Sequence, residues 1–185
     1  MSVADNAGNL TRVDRTFSVT SGTSGPVTAD VIEFYNASLD HYFMSSLAAD
    51  ISALDSGQLK GWARTGRSFH AYPQPTAGAN AVCRYYIPPA LGDSHFYSAS
   101  PAECAQVRAK FPSFVLESSS VMYEFLPDAN TGACPAGTTP VYRVRNQRAD
   151  SNHRYTTDLA LRAQMLARGW IGEGYLPSQV GMCAP

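Results

Sequence analysis

Between residues 29 and 185 the apolar and polar positions recur in the same order three times. Each copy opens on a run rich in β-branched and aromatic residues. These runs are Val31-Ile32-Glu33-Phe34-Tyr35-Asn36, Val82-Cys83-Arg84-Tyr85-Tyr86 and Val141-Tyr142-Arg143-Val144-Arg145-Asn146. Such residues suit a pleated, half-buried surface, and each run predicts a strand. A turn follows, carrying Asp40, then Asp93-Ser94, then Asp150-Ser151-Asn152. After it come His41-Tyr42-Phe43, His95-Phe96-Tyr97 and His153-Arg154-Tyr155, which predict second strands hairpinned to the first.

Helix start signals come next: Ser46 before Leu47, Ser100-Pro101-Ala102-Glu103, and Thr157-Asp158. The middle one reads as a capping box with proline at the first helical position. The apolar spacing expected to face inward is Leu47, Ile51 and Leu54, then Cys104, Val107 and Phe111, then Leu159, Ala163, Leu166 and Trp170. The first and third helices stop near Gly57 and Gly169, and each leads into a Gly-Trp segment, Gly61-Trp62 and Gly169-Trp170, that starts a third strand. The middle copy substitutes Phe111, Phe114 and Glu117. The fold class is therefore α+β: three strand-strand-helix-strand repeats over residues 29–78, 79–130 and 131–185, at a period of roughly 50 to 60 residues. Three such units can bury a continuous core, and closure into a pseudo-threefold ring would remove exposed sheet edges.

Residues 1–20 stand apart. Leu10 to Val19 alternates apolar and polar residues like a lone strand. It resembles the last strand of an upstream immunoglobulin-like module, the other reading being an edge strand of the main domain. Residues 21–28 are a flexible linker by composition. Met1 to Leu10 lacks the charged start and apolar run of a signal peptide, so the sequence reads as export directed elsewhere or as a piece of a longer protein.

Composition narrows the function classes. With a net charge of -1 over 185 residues there is no electrostatic footprint for nucleic acid, and no apolar run is long enough to insert in a membrane. Ten Tyr, eight Phe and two Trp, with Lys60 and Lys110 as the only lysines, suit recognition of polar ligands or a protein partner. Cys83, Cys104, Cys134 and Cys183 form no C-x-x-C pair, which favours disulfides and an oxidising compartment, secreted or cell-surface, over zinc. Of the three possible connectivities, Cys83 with Cys104 and Cys134 with Cys183 is expected. The first pair joins a strand to the helix packed over it, and the second brackets the third unit.

The tyrosine-rich strand, Asp with His-Phe-Tyr, helix, Gly-Trp and Glu-Gly, three times in order over residues 29–185, resembles a bacterial repeat family of unknown function. That family is found at the C-termini of secreted proteins, including cell-wall lysins. The resemblance implies an accessory module attached to upstream domains of a larger extracellular protein, and brings no catalytic residues.

For chemistry, alternation places His41 with Phe43, His95 with Tyr97 and His153 with Tyr155 on common faces. An imidazole beside a ring and an Asp can form a glycan site, and equally a satisfied core histidine. The three histidines open separate units, which disfavours a shared metal site, and no cofactor motif is present. The scattered carboxylates and the absence of G-x-S-x-G or H-E-x-x-H motifs argue against an enzyme. Glu173 reads as a ligand acceptor or as a partner of Arg143 or Arg145. The expectation is a non-catalytic module binding glycan or cell-envelope polymer, the alternative a protein-protein or purely structural module. The third unit is the expected site, with Arg154, Trp170, Asp150, Asn152, Arg143 and Arg145, and Tyr42 and Trp62 as further ligand-binding rings. Arg154 is expected to face solvent, opposite His153 and Tyr155, or else to pair with Asp158.

Overall fold

The computed structural model describes residues 2–4, 10–12 and 25–185. Ser2–Ala4 (β1) and Leu10–Arg12 (β2) pair antiparallel, so Leu10 lies in a two-stranded ladder and not in a lone strand. The rest of that expected strand and residues 21–24 of the linker lie outside the described residues.

The three repeats each form an antiparallel sheet with the first strand in the middle. In the first unit Ala29–Asn36 (β3) lies between His41–Ser45 (β4) and Trp62–Ala71 (β5), with Ala48–Asp55 (α1) connecting the last two. A short strand, Asn80–Ala81 (β6), precedes the second unit. There Cys83–Ile87 (β7) lies between Ser94–Ser98 (β8) and, after Pro101–Lys110 (α2), Val115–Ser118 (β9). Tyr123–Glu124 (β10) pairs back with β6. In the third unit Thr139–Arg145 (β11) lies between His153–Thr156 (β12) and, after Leu159–Ala167 (α3), Ile171–Glu173 (β13). A fourth strand, Val180–Ala184 (β14), pairs with the start of β11. The period-of-two reading did not separate this strand, because the long third strand that runs unbroken as β5 is interrupted here by residues 174–179.

Register shows how deep the repeat goes. His41 is opposite Asn36, His95 opposite Tyr86 and His153 opposite Arg145, so the three histidines open equivalent strands. On the other side of each central strand, Asn36 faces Trp62, Tyr86 faces Val115 and Arg145 faces Ile171. Trp62 therefore corresponds to Ile171 and not to Trp170, which sits one residue before its strand. The strands β4, β8 and β12 each contact the other two, and β14 contacts both β5 and β10. One core cluster accordingly draws Val31, Met44 and Phe69 from the first unit, Val82, Tyr97 and Met122 from the second, and Val141, Tyr155 and Met182 from the third. At the hairpin tips the backbones touch: a Cβ on Gly92, whose φ is +144°, would come within 2.7 Å of the Ser151 carbonyl.

The helices begin as their caps dictate. Ser100 Oγ accepts from the Glu103 amide at 3.3 Å and Asp158 accepts from the Leu161 amide at 2.9 Å. The first helix differs: Leu47 precedes it without a side-chain cap, and Ser45, not Ser46, accepts from the Leu47 amide at 3.0 Å. The inward faces are Leu54, Val107, and Leu161 with Met165. Leu47, Phe111, Leu159 and Ala163 are exposed, contrary to the sequence pattern; in α3 the cap at Asp158 turns Leu161 and Met165 toward Val144 instead. Ser100→Ala should therefore cost about 1 kcal/mol, read as a lowered thermal midpoint, while Ser46→Ala changes it little.

Both expected disulfides are present. Cys83–Cys104 ties β7 to α2, and Cys134–Cys183 ties the segment before β11 to β14. Among the described residues no helix is long and apolar enough to cross a membrane.

Candidate functional site

Successive units meet through an arginine. Arg84 on β7 and Arg143 on β11 occupy equivalent central-strand positions, and each reaches the carboxylate three residues past the cap of the preceding unit's helix. Arg84 Nη1 donates to Asp50 at 2.5 Å. Arg143 grips Glu103 with two bonds, at 2.9 and 2.6 Å. Each also meets a carboxylate of its own third strand, Arg84 with Glu117 at 2.8 Å and Arg143 with Glu173 at 3.0 Å. The histidine opening the second strand completes the group, His95 at 3.2 Å from Glu117 and His153 at 3.4 Å from Glu173. The capping box of α2 is thus half-used: Ser100 accepts from Glu103, but the Glu103 carboxylate turns to Arg143.

These groups line two clefts. The larger, about 590 Å³, lies between the second and third units. Its apolar wall includes Ile87, Leu91, Phe96, Val107, Phe111 and Phe114, and its polar wall Glu103, Lys110, Arg143, Arg145, His153 and Glu173. Phe111 and Phe114 stack with their centroids 4.8 Å apart. The smaller cleft, about 240 Å³, lies between the first and second units and holds Phe43, Asp50, Leu54, Trp62, Arg84, Tyr86, His95 and Glu117. The third junction lacks this chemistry. Phe34 stands where Arg84 and Arg143 stand in the other units, and Leu161 where Asp50 and Glu103 do, while Arg64 turns out to Asp55.

Electrostatics fix the protonation of the larger cleft. Burial pushes the Glu173 carboxyl up, but His153, Arg143 and Arg145 outweigh it and hold it at about 2. Burial likewise opposes the Glu103 carboxylate, and Arg143 overcomes it. His153 is held below its ordinary value because burial disfavours imidazolium, with Glu173 offsetting only part. It is neutral at pH 7, and its buried Nδ1 has no hydrogen-bond partner among the described residues.

The expected site residues do not converge on one place. Arg143, Arg145 and His153 come together in the larger cleft, and Glu173 bridges both arginines, 3.0 Å from each Nε. Asp150, Asn152 and His41 instead knit the hairpin tips: His41 faces Asp150 and the Asp93 carbonyl, both at 3.3 Å, and Asn152 holds both backbone groups of Tyr42. Tyr97 and Tyr155 are buried in the central core, where Tyr97 donates to the Met44 carbonyl and Tyr155 to the Tyr97 carbonyl.

Arg154 overturns its expectation outright. It is buried, donates to both oxygens of Glu33 at 2.8 Å, and lies 3.9 Å above the Tyr42 ring. Alternation gave it a solvent face, but α3 and β4 cover both sides of β12, so all four of its residues are buried. Asp158 pairs with Arg67 instead. Trp170 is no stacking platform either: it packs edge-on to Tyr42, 6.0 Å away, beside Leu161 and Met165. Tyr42 belongs to that same packing, while Phe43 and Trp62 line the smaller cleft. Sequence reasoning did not place Glu103, Lys110, Phe111 and Phe114 at a site. Two phenylalanines three residues apart at the end of a helix whose inward face is already supplied by Val107 were the available signal.

A family model described as a domain of unknown function, DUF5648, matches residues 12–124 and again residues 123–177. No curated protein and no solved structure matches the chain.

Proposed function

Because the chain belongs to the DUF5648 family, a domain of unknown function, we propose its role from its own geometry: a non-catalytic module that binds a glycan or cell-envelope polymer in the cleft between its second and third units. The observation that carries this reading is the composition of that cleft. One wall is aromatic and apolar, suited to the C–H face of a sugar. The other is polar and held in place by paired charges, suited to sugar hydroxyls. The two disulfides accord with a secreted or surface location, as an accessory module of a larger bacterial protein. In the same proposal the units close into a pseudo-threefold ring. Its support is the mutual contact of β4, β8 and β12, with the equivalent registers of the three histidines.

Leu91, Phe111, Val115 and Leu116, all of the second unit, are exposed, and they favour a second reading in which this unit binds a protein. Pull-down on insoluble cell-wall polymers together with a glycan array separates the two. Phe111→Ala, at a side chain already half exposed, should weaken polymer binding about fivefold at an unchanged thermal midpoint. Binding to no glycan on the array or in the pull-down would overturn the saccharide reading.

A further inference from the structure

We infer that the larger cleft selects an anionic saccharide, a sugar carrying a carboxylate, which it grips through Arg145 and Lys110. The inference rests on the saccharide reading above and names the class of sugar. Within the polar wall, Arg143 is buried and its terminal nitrogens are committed to protein acceptors, while its Nε meets Glu173 as an ion pair without hydrogen-bond geometry. Its two terminal nitrogens hold Glu103, and one of them also reaches the Tyr97 carbonyl at 3.4 Å. Arg145 is different. Only its Nε has an acceptor among the described residues, Glu173 at 3.0 Å, and one third of its side chain is exposed. The two terminal nitrogens keep a planar fork of N–H groups directed at no protein oxygen, a geometry that matches a carboxylate. Lys110, exposed in the last turn of α2 on the same cleft, adds a second cation without an acidic partner among the described residues.

The smaller cleft acts as an internal control. Both clefts repeat the arginine, two carboxylates and histidine that join one unit to the next. If the lining served only to join units, the two would carry the same charge. They do not. In the smaller cleft one arginine, Arg84, faces Asp50 and Glu117, a formal balance of about minus one. In the larger, Arg143, Arg145 and Lys110 face Glu103 and Glu173, a balance of about plus one. The difference comes from Tyr86 standing where Arg145 stands, and Gly57 at the helix position of Lys110. The surplus cations occur in the cleft that is more than twice as large and that carries the stacked Phe111–Phe114 pair. A group that needs both an apolar face and a planar anion fits it, and a carboxylated pyranose has both.

The test measures binding of the intact chain to polygalacturonate, alginate and hyaluronate, each beside its carboxyl-reduced, neutral form. The expected result is retention of at least one acidic polymer, at least tenfold weaker binding to its reduced form, and marked weakening between 0.05 and 0.5 M salt. Arg145→Gln and Lys110→Gln should each lower that binding about fivefold with an unchanged thermal midpoint, and Arg145→Lys should keep part of it. Lys110 makes no side-chain hydrogen bond or ion pair among the described residues, so Lys110→Gln keeps the test decisive if Arg145→Gln loosens Glu173. Equal retention of acidic and reduced polymers, still lost in Phe111→Ala, would overturn the charge selection and leave the saccharide reading standing. Retention of none of the six overturns the selection, and the glycan array then decides the saccharide reading by itself.

Discussion

Arg154→Ala should destabilise the protein by about 3–5 kcal/mol, visible as a large drop in the urea midpoint at constant slope. The reason is the company Arg154 keeps. It and Glu33 are both buried, their two bonds are short and parallel, and Thr65 satisfies Glu33 further at 2.7 Å. Removing the guanidinium strands a buried carboxylate between units without its counter-ion. The pair also spans the junction that lacks the Arg84 or Arg143 arrangement, and it is a buried tie between the third unit and the first, unlike the more exposed Arg67–Asp158 and Arg148–Asp40 pairs. A cycle with Glu33→Leu and Arg154→Met separates the cost of a stranded charge from the net worth of the pair. Each single change should be severe, and the double variant should recover most of the loss, since two apolar side chains can fill that space without desolvating a charge. A loss below about 1 kcal/mol for Arg154→Ala would contradict the buried pair.

A still larger effect is expected from pH. Glu124 on β10 is fully buried, neither carboxyl oxygen has a hydrogen-bond partner among the described residues, and burial pushes its pKa up from 4.5 to about 9. In the unfolded chain the group ionises near 4.5. The folded state therefore has its full stability below that value and loses it as pH rises toward about 9, since unfolding then releases a proton. The slope is about 1.4 kcal/mol per pH unit, so stability should fall by roughly 3 kcal/mol between pH 7 and 9, and by more than 5 across the whole window. His153 acts in the opposite sense, because its depressed value favours the folded state as pH rises toward 6.5. That contribution is complete by pH 7, which leaves the interval above it to Glu124. Glu124→Gln should flatten the decline, measured by urea unfolding at each pH. An unchanged slope in that variant would remove Glu124 as its cause.

Strands, hairpins, the caps of the second and third helices and the disulfides were legible along the chain, and the strands, hairpins and caps are governed by neighbours in sequence or by a pattern of fixed period. Ser100 and Asp158 cap helices whatever surrounds them. His41, His95 and His153 mark equivalent turns because each is set by the hairpin before it. Even the link between Glu173 and the arginines of β11 could be anticipated, since they belong to paired strands of one sheet. What crosses from one unit to the next could not. Glu103 and Arg143 are 40 residues apart, and Glu33 and Arg154 are 121 apart.

Alternation along a strand tells which residues share a face, and only packing tells which face is covered. On β12 that difference reversed the outcome. Arg154 has the composition of a ligand-binding residue, yet α3 and β4 close over it and make it a structural ion. Glu124 is one of the scattered carboxylates of the sequence, and only the packing around β10 makes it a fully buried one. The repeated sequence by itself determined three equivalent units and the positions of their strands and helices. Tertiary structure decided which junctions became clefts, because the free energy of a charge depends on the dielectric and the partners around it, and these come from chain far away in sequence.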